Sequence, residues 1–404
     1  MRLFKIIKFL IVLITIGYII GCTSTEYITS ESDNLEINTE VQLPEISIKL
    51  PRKVAIILPL SQNPQVSSAI LSGFLSNYFN YEDRDQVELY VLDSSKGMAN
   101  IANDILTTDI DFIVGPLLRQ NVSELEKLTN DTPTLYLNYP FDYTTKINTY
   151  FFGLRPEDEL ALIFSYAESN KINNLTIFSP ISEYGRRLEI AIENITPASS
   201  LNKITLINYE QNTTSYLSVI NDSFLIPQSN ARRNRLANNL DIEIDFDPRR
   251  RQDIDAVVAL GTQDNLERLI PQIRFSFAND MDIFSLSDIR SVNDNITESS
   301  DFDRVIFTDS PFFSEQNNFL SYSNDIITES NKFNTGGTPT LQRFFAFGKD
   351  AFNLVGLINT DYFSYYYDYN GYTGKVLIGE DNYLTRKPSL FEFIENNIVD
   401  VNNP

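Results

Sequence analysis

Apolar residues in this chain gather in short unbroken runs, separated by stretches in which they recur every three or four positions. The first run, Val54-Ala55-Ile56-Ile57-Leu58, contains no polar residue, the pattern of a strand buried on both faces of a parallel sheet. Pro59 ends it, and Val66, Ile70, Phe74 and Tyr78 then recur at a spacing that lines one face of a helix. A second run at Val87 to Leu92 completes a βαβ unit. Next come a helix from Ala99 to Leu106, a strand Phe112-Ile113-Val114 turning at Gly115-Pro116, a helix from Val122 to Leu128, and a strand from Thr134 to Leu137. Such alternation predicts a doubly wound lobe, because parallel strands need crossovers that pack back onto the sheet.

The alternation then restarts. Leu160, Ile163, Phe164 and Ala167 form an apolar stripe within Glu157 to Asn170, ahead of a strand at Leu175 to Phe178 and a helix from Arg186 to Ile195. Strands at Ile204 to Ile207, Ala256 to Leu260 and Ile283 to Leu286, with a helix from Asn265 to Ile273, extend a second lobe. Val305-Ile306-Phe307, a helix from Phe344 to Ile358, and a hairpin strand at Gly374 to Ile378 turning at Glu380-Asp381-Asn382 close the pattern. Polar stretches at Ser291 to Asp303, Ser321 to Thr340 and Ser364 to Tyr372 read as surface loops. The last carries Tyr365-Tyr366-Tyr367, a contact patch or a loop packed on the second lobe. The expected fold class is α/β, with two doubly wound lobes.

The N-terminus follows different rules. Met1 to Lys8 is basic, and Phe9 to Gly21 is apolar over 13 residues, short of the roughly 20 that span a bilayer and suited to the core of an export signal. Residues 1–21 are therefore expected to be removed. Ile19-Ile20-Gly21-Cys22 resembles the bacterial lipobox, in which the Cys is diacylated and becomes the first residue of the mature chain. Several acyl chains anchor a protein to a bilayer far better than one. By analogy, Thr23 in place of the Asp of retained inner-membrane lipoproteins directs the chain to the periplasmic face of the outer membrane. Residues 22–52 then read as a lipidated N-terminus and flexible tether, rich in Ser, Thr, Glu and Asn.

Composition narrows the chemistry. With a formal charge of −22 over 404 residues, most of the surface repels nucleic acid and anionic lipid. The single Cys excludes internal disulfides, and the absence of His removes the commonest general base and metal ligand. Enzyme motifs fail: there is no GxSxG, GxGxxG or P-loop. Ser200-Leu201-Asn202-Lys203 matches SxxK only by spacing, with no KTG downstream. A binding protein without cofactor or metal is expected, not an enzyme.

Leu58-Pro59-Leu60-Ser61, Val114-Gly115-Pro116-Leu117, Gly153 to Glu159, Glu183-Tyr184-Gly185-Arg186-Arg187 and Gly371 to Lys375 together resemble the type I periplasmic binding protein fold. Within it, Pro248 to Asp255 and Gln272-Ile273-Arg274-Phe275 are similar to the LpoA family of penicillin-binding protein activators. The resemblance covers about Lys53 to Phe393, the family's C-terminal module, with a tether in the place of the N-terminal helical-repeat domain of longer members. It implies two lobes joined by three crossovers, placed at 53–152 plus 306–360 and at 153–305 plus 361–395. It also implies an outer-membrane lipoprotein that binds a class A penicillin-binding protein and allosterically stimulates peptidoglycan crosslinking. The alternative is a periplasmic solute-binding lipoprotein for an amino acid or small peptide.

Two candidate sites follow. Ser61, Gly115, Pro116, Asn138, Tyr139 and Tyr184 lie just past expected strands, where open α/β sheets bind ligands. Leu117 and Leu118 follow Pro116, which has no N–H to offer a ligand carboxylate, so an amino-acid site is disfavoured and a closed cleft stands beside it. Arg232, Arg233, Arg235, Arg249, Arg250 and Arg251 form a basic cluster in an acidic chain. Arg249 to Arg251, matched in the family, are the candidate anion or partner contact; the other reading is a self-neutralised hairpin paired with Asp241, Glu243, Asp245, Asp247, Asp253 and Asp255.

Overall fold

The computed structural model describes residues 48–128, 132–142, 146–276, 278–293, 300–314, 338–360, 368–379 and 381–401. The signal segment, Cys22, most of the tether, residues 321–337 and Tyr365-Tyr366-Tyr367 lie outside the described residues. The first sheet is all parallel, in the order β2-β1-β3-β4-β5, from β1 (Lys53–Leu58), β2 (Glu88–Asp93), β3 (Phe112–Val114), β4 (Thr134–Tyr136) and β5 (Thr149–Phe151). Helices α1 (Pro64–Asn80), α2 (Met98–Thr108) and α3 (Arg119–Leu128) connect its strands. Ala55 and Ile57 of β1 pack against Met98, Ile101, Ile105, Val122 and Leu125 of α2 and α3. The continuous apolar run of β1 is thus explained by its central place, covered on both faces. At three residues, β5 is too short to carry a pattern and is not read from the sequence.

The chain crosses to the second lobe after β5. There, α4 (Pro156–Ser169), β6 (Asn174–Pro180), α5 (Glu183–Ile195), β7 (Lys203–Tyr209), α6 (Leu217–Ser223), α7 (Ile226–Leu240), β8 (Ala256–Ala259), α8 (Gln263–Phe275), β9 (Asp282–Ser285) and β10 (Val305–Asp309) follow in order. Leu160, Ile163, Phe164 and Ala167 of α4 pack with Leu175, Ile177, Leu188 and Ile192. Leu266, Leu269, Ile270 and Ile273 of α8 cover the opposite face. Ser182 caps α5 by accepting from the Gly185 N–H at 3.0 Å, which sets the helix start ahead of the expected Arg186. α6 and α7 are not legible in the sequence. Only Ile226 and Ser229 of α7 are buried, so no apolar stripe marks it. Arg232, Arg233 and Arg235 accordingly lie on a helix rather than in a hairpin.

α9 (Pro339–Ile358) then packs on α1 at backbone contact. A Cβ added at Gly348 would sit 2.0 Å from the Ile70 carbonyl oxygen, and one at Gly73 1.9 Å from that of Phe345. The small Ser67, Ser72 and Ser76 share the buried face of α1, and Phe74 meets Phe352 edge to face at 5.3 Å. A third, antiparallel sheet of β11 (Asp368–Gly371), β12 (Gly374–Ile378) and β13 (Leu384–Lys387) contains the expected hairpin. β14 (Ser389–Ile394) and β15 (Asn397–Asp400) complete the second sheet, whose order is β15-β14-β10-β9-β8-β6-β7.

This connectivity corrects the expected lobe boundaries. Val305–Asp309 is buried throughout and pairs parallel to β9 and antiparallel to β14. β10 therefore belongs to the second lobe, and a boundary at 305/306 would cut through this strand. The passage to the first lobe comes after Asp309. Residues 368–387 are likewise not simply second-lobe chain. The Phe151 N–H donates to the Asn382 carbonyl at 3.0 Å, and Phe151 and Tyr383 form a parallel bridge, so the third sheet touches the edge of the first.

Candidate functional site

α9 spans the junction between the lobes. Its C-terminal half lies against α1, while its first turns reach the carboxyl ends of β9 and β10. Thr338 caps it by accepting from the Leu341 N–H, and Thr340 donates to the Ser291 carbonyl at 2.7 Å. A polar cavity of about 220 Å³ opens beside it, lined by Leu154, Pro156, Glu159, Tyr184, Arg187, Ser287, Asp288, Asp309, Ser310, Thr340, Arg343, Phe344 and Arg386. Its walls come from the second lobe, from α9 and from the third sheet.

The charges in this wall are buried and interlocked. Asp309, 1 % exposed, accepts from Arg343 Nε at 2.6 Å, from a second Arg343 nitrogen at 2.9 Å and from Arg290 at 3.0 Å. Arg343 also donates to the carbonyls of Ser287 and Arg290 at 2.8 and 3.0 Å. Glu159 accepts from Ser287 N and Oγ, from Thr308 Oγ1 at 2.8 Å and from Arg386 at 3.1 Å. Buried charges are tolerable only when bonded in this way, since each isolated one costs several kcal/mol of lost hydration. Pro156 at the first position of α4, with Glu157, Asp158 and Glu159 in its first turn, places carboxylates at the positive end of the helix dipole.

Two carboxyls here are displaced from their ordinary range. Burial pushes Asp288 up to about 6 although it accepts the Tyr184 hydroxyl. Burial also pushes Asp158 up to about 6, against the opposing charges of Arg155 and Arg386. The Tyr184 hydroxyl is raised by burial and by Asp288. No group of three or more His, Cys, Asp or Glu side chains suited to a metal ion occurs among the described residues.

Of the six cleft residues named from the sequence, only Tyr184 lines this cavity. Ser61 is exposed and donates to Asp93, which it holds down to about 2. Gly115 and Pro116 follow β3 and are joined by a cis peptide bond. Asn138 donates to the Leu117 carbonyl at 2.9 Å, and the Tyr139 hydroxyl donates to the Leu384 carbonyl. The Arg155 guanidinium lies 4.6 Å from the Tyr139 ring centre. Asn138 and Tyr139 therefore tie the first lobe together and to the third sheet.

The arginine run divides. Arg251 pairs with Asp253, and Arg250 lies 3.3 Å from Asp280 and donates to the Arg251 and Ile254 carbonyls. The bond from Arg251 holds the Asp253 carboxyl well below the usual carboxylate range, so the ion pair persists in acid. Arg249 is exposed, and among the described residues only its backbone N–H is bonded, to Ser229 Oγ at 3.1 Å. The sequence reading missed Glu159, Asp309, Arg343 and Arg386. The available signal was Arg343, with Lys349 and Asp350, interrupting an otherwise apolar helix.

A family model described as "LppC putative lipoprotein" matches residues 38–396. The penicillin-binding protein activator LpoA of Aliivibrio fischeri is 27% identical over 350 residues, covering 85% of this chain and 57% of that protein. The chain thus spans little more than half the length of that relative. The C-domain of LpoA (YraM) from Haemophilus influenzae, described as a regulator of PBP1A, superposes with a TM-score of 0.66 at 20% identity, over 86% of this chain and 99% of that one. A protein described as a branched-chain amino acid ABC transporter, from Chromobacterium violaceum, superposes with a TM-score of 0.61 at 16% identity, over 84% of this chain and 99% of that one. Both superpositions establish the type I periplasmic binding protein-like fold. Matched along 38–396, the chain belongs to the LppC lipoprotein family.

Proposed function

We propose that this chain is a lipoprotein of the outer membrane, anchored through Cys22 at the periplasmic face, that binds a class A penicillin-binding protein and raises its peptidoglycan crosslinking rate. The observation that supports the reading is the run of similarity over 85% of this chain to a protein named a penicillin-binding protein activator. The role is regulatory and not catalytic: binding shifts the synthase toward its active population, which requires only that the chain prefer that state. The partner contact is placed at Arg249 together with Arg232 and Arg235 of α7, which are exposed, whereas Arg250 and Arg251 are engaged within the lobe. A solute-binding role fits the fold less well. Asn138 and Tyr139 are used in internal bonds, and Pro116 has no N–H for a ligand carboxylate.

Crosslinking turnover by the class A synthase of the same organism, measured with and without the purified chain, tests this. A rate increase that is lost when Arg235 and Arg249 are both changed to Glu supports the reading and the docking face. No binding and no change in rate would refute it.

A further inference from the structure

α7 (Ile226–Leu240) turns its leucines away from the core. Its two buried residues, Ile226 and Ser229, lie at its start, and no residue of 230–240 is buried. Arg233 and Ala237 are partly covered and continue the inward face at helical spacing. The opposite face holds Arg232, Arg235, Leu236, Asn239 and Leu240, all exposed, in the i, i+3, i+4, i+7, i+8 order that makes one row. Leu236 and Leu240 are 51 and 56 % exposed, and Ile242 is 53 % exposed. Asp241 is left-handed, and the N–H groups of Asp241 and Ile242 both donate to the Ala237 carbonyl, which folds Ile242 back beside the end of the helix. A helix that only covered the core would face its leucines inward; here they gather in water while small and polar residues face in.

The same row is positively charged in an acidic chain. Between Asp222 and Asp241 the sequence has no acid. Among the described residues Arg232, Arg233 and Arg235 form no ion pair, and Asp253 and Asp280 are paired with Arg251 and Arg250. The Arg249 N–H, bonded to Ser229 Oγ at 3.1 Å, sets a fourth arginine at the base of the helix. We propose that α7 is a docking helix whose exposed row, Arg232, Arg235, Leu236 and Leu240 with Ile242 at its end, seats in an apolar groove rimmed by carboxylates on the penicillin-binding protein. The inference rests on the regulator reading and names the contact which that reading would use. Leucines at i and i+4 are anchors of helix-in-groove recognition, and arginines on the same row suit carboxylates, which accept their N–H groups in pairs. A flat anionic membrane fits less well, because exposed Asp241, Glu243, Asp245 and Asp247 follow the helix directly and would be repelled by it. A second copy of the chain would set arginine against arginine across a two-fold axis.

The test is biolayer interferometry of the purified chain against the class A synthase of the same organism. Leu236→Gln combined with Leu240→Gln keeps side-chain length and helix propensity. It should raise Kd at least about tenfold, mostly through faster dissociation. Arg232→Glu combined with Arg235→Glu should slow association and flatten its dependence on salt. Leu106→Gln, at an exposed position of α2 in the first lobe, should change neither. The proposal is overturned, with the regulator reading left standing, if the original chain binds and the leucine pair leaves Kd within about twofold. If the original chain does not bind the synthase at all, the regulator reading fails and the docking helix fails with it. The proposal is also overturned if the leucine pair abolishes binding to phosphatidylglycerol vesicles or splits a dimer of the free chain in sedimentation, since the row then serves a different occupant. A melting temperature lower by more than about 5 °C in the leucine variant would refute it too, because these side chains would then be serving the fold.

Discussion

Replacing Arg343 with Met tests whether α9 bolts the first lobe to the second. Arg343 is 8 % exposed and donates to both oxygens of Asp309 and to the Ser287 and Arg290 carbonyls. Met matches the stem of Arg but offers no donor, so Asp309 retains Arg290 and the Ser310 N–H, and two buried carbonyls lose a partner. Removing one member of a buried ion pair costs about 3–5 kcal/mol. The residual pair with Arg290 puts the expectation at the lower end, about 3 kcal/mol. At roughly 2 °C per kcal/mol for a body of this size, the melting temperature should fall by about 6 °C. Urea unfolding followed by circular dichroism measures the free energy, and amide exchange locates it. Protection should drop at 339–345 and after β10 before it drops in β1. The variant Asp309→Asn should cost a similar amount, and the double variant well below the sum, because the second change removes a charge already stranded by the first. A loss under about 1 kcal/mol, or full additivity, would refute the strut.

Gly348→Ala should destabilise by about 3 kcal/mol, measured by the same unfolding, because its Cβ would lie 2.0 Å from the Ile70 carbonyl oxygen and α1 must move away; a neutral result would mean that the helices do not touch there. Asp158 and Asp288, raised to about 6 by burial, hold protons in the folded chain that the unfolded chain releases, so each lowers stability as pH rises from 4 through 6. Melting temperature should therefore climb on acidification from pH 7 to 4, and Asp288→Asn should remove at most about 3 kcal/mol of that change; an unchanged pH dependence in the variant would count against it. Arg250→Glu should lower stability by about 1–2 kcal/mol through its bonds to the Ile254 carbonyl and Asp280, while exposed Arg249→Glu stays within about 0.5 kcal/mol. Equal losses in the two would remove the distinction between them.

The residues differ in how openly they announce their role. β1, β3, β8 and the α4 stripe are legible because each buries a continuous or periodic apolar set, and that periodicity is local. α7 is not, since a helix with two buried residues leaves no stripe. β5, β14 and β15 are short or late strands whose partners lie far away in the chain. The candidate cleft was placed by a rule about strand ends, and Tyr184 obeys it. Asn138 and Tyr139 do not, because their bonds to Leu117 and Leu384 depend on the third sheet.

The alternation of the longer strands and helices, the α/β class, the acidic surface, and the absence of His chemistry were written in the chain itself, because each depends on residue type and near-neighbour spacing. Which lobe owns β10, how closely α1 and α9 approach, and which charges meet were settled only by folding. Asp309 and Arg343 lie 34 positions apart, and Glu159 and Arg386 227 apart. In sequence they read as ordinary charged residues. Their burial, and with it the cavity they enclose, arises when two sheets and one shared helix exclude water from the space between them.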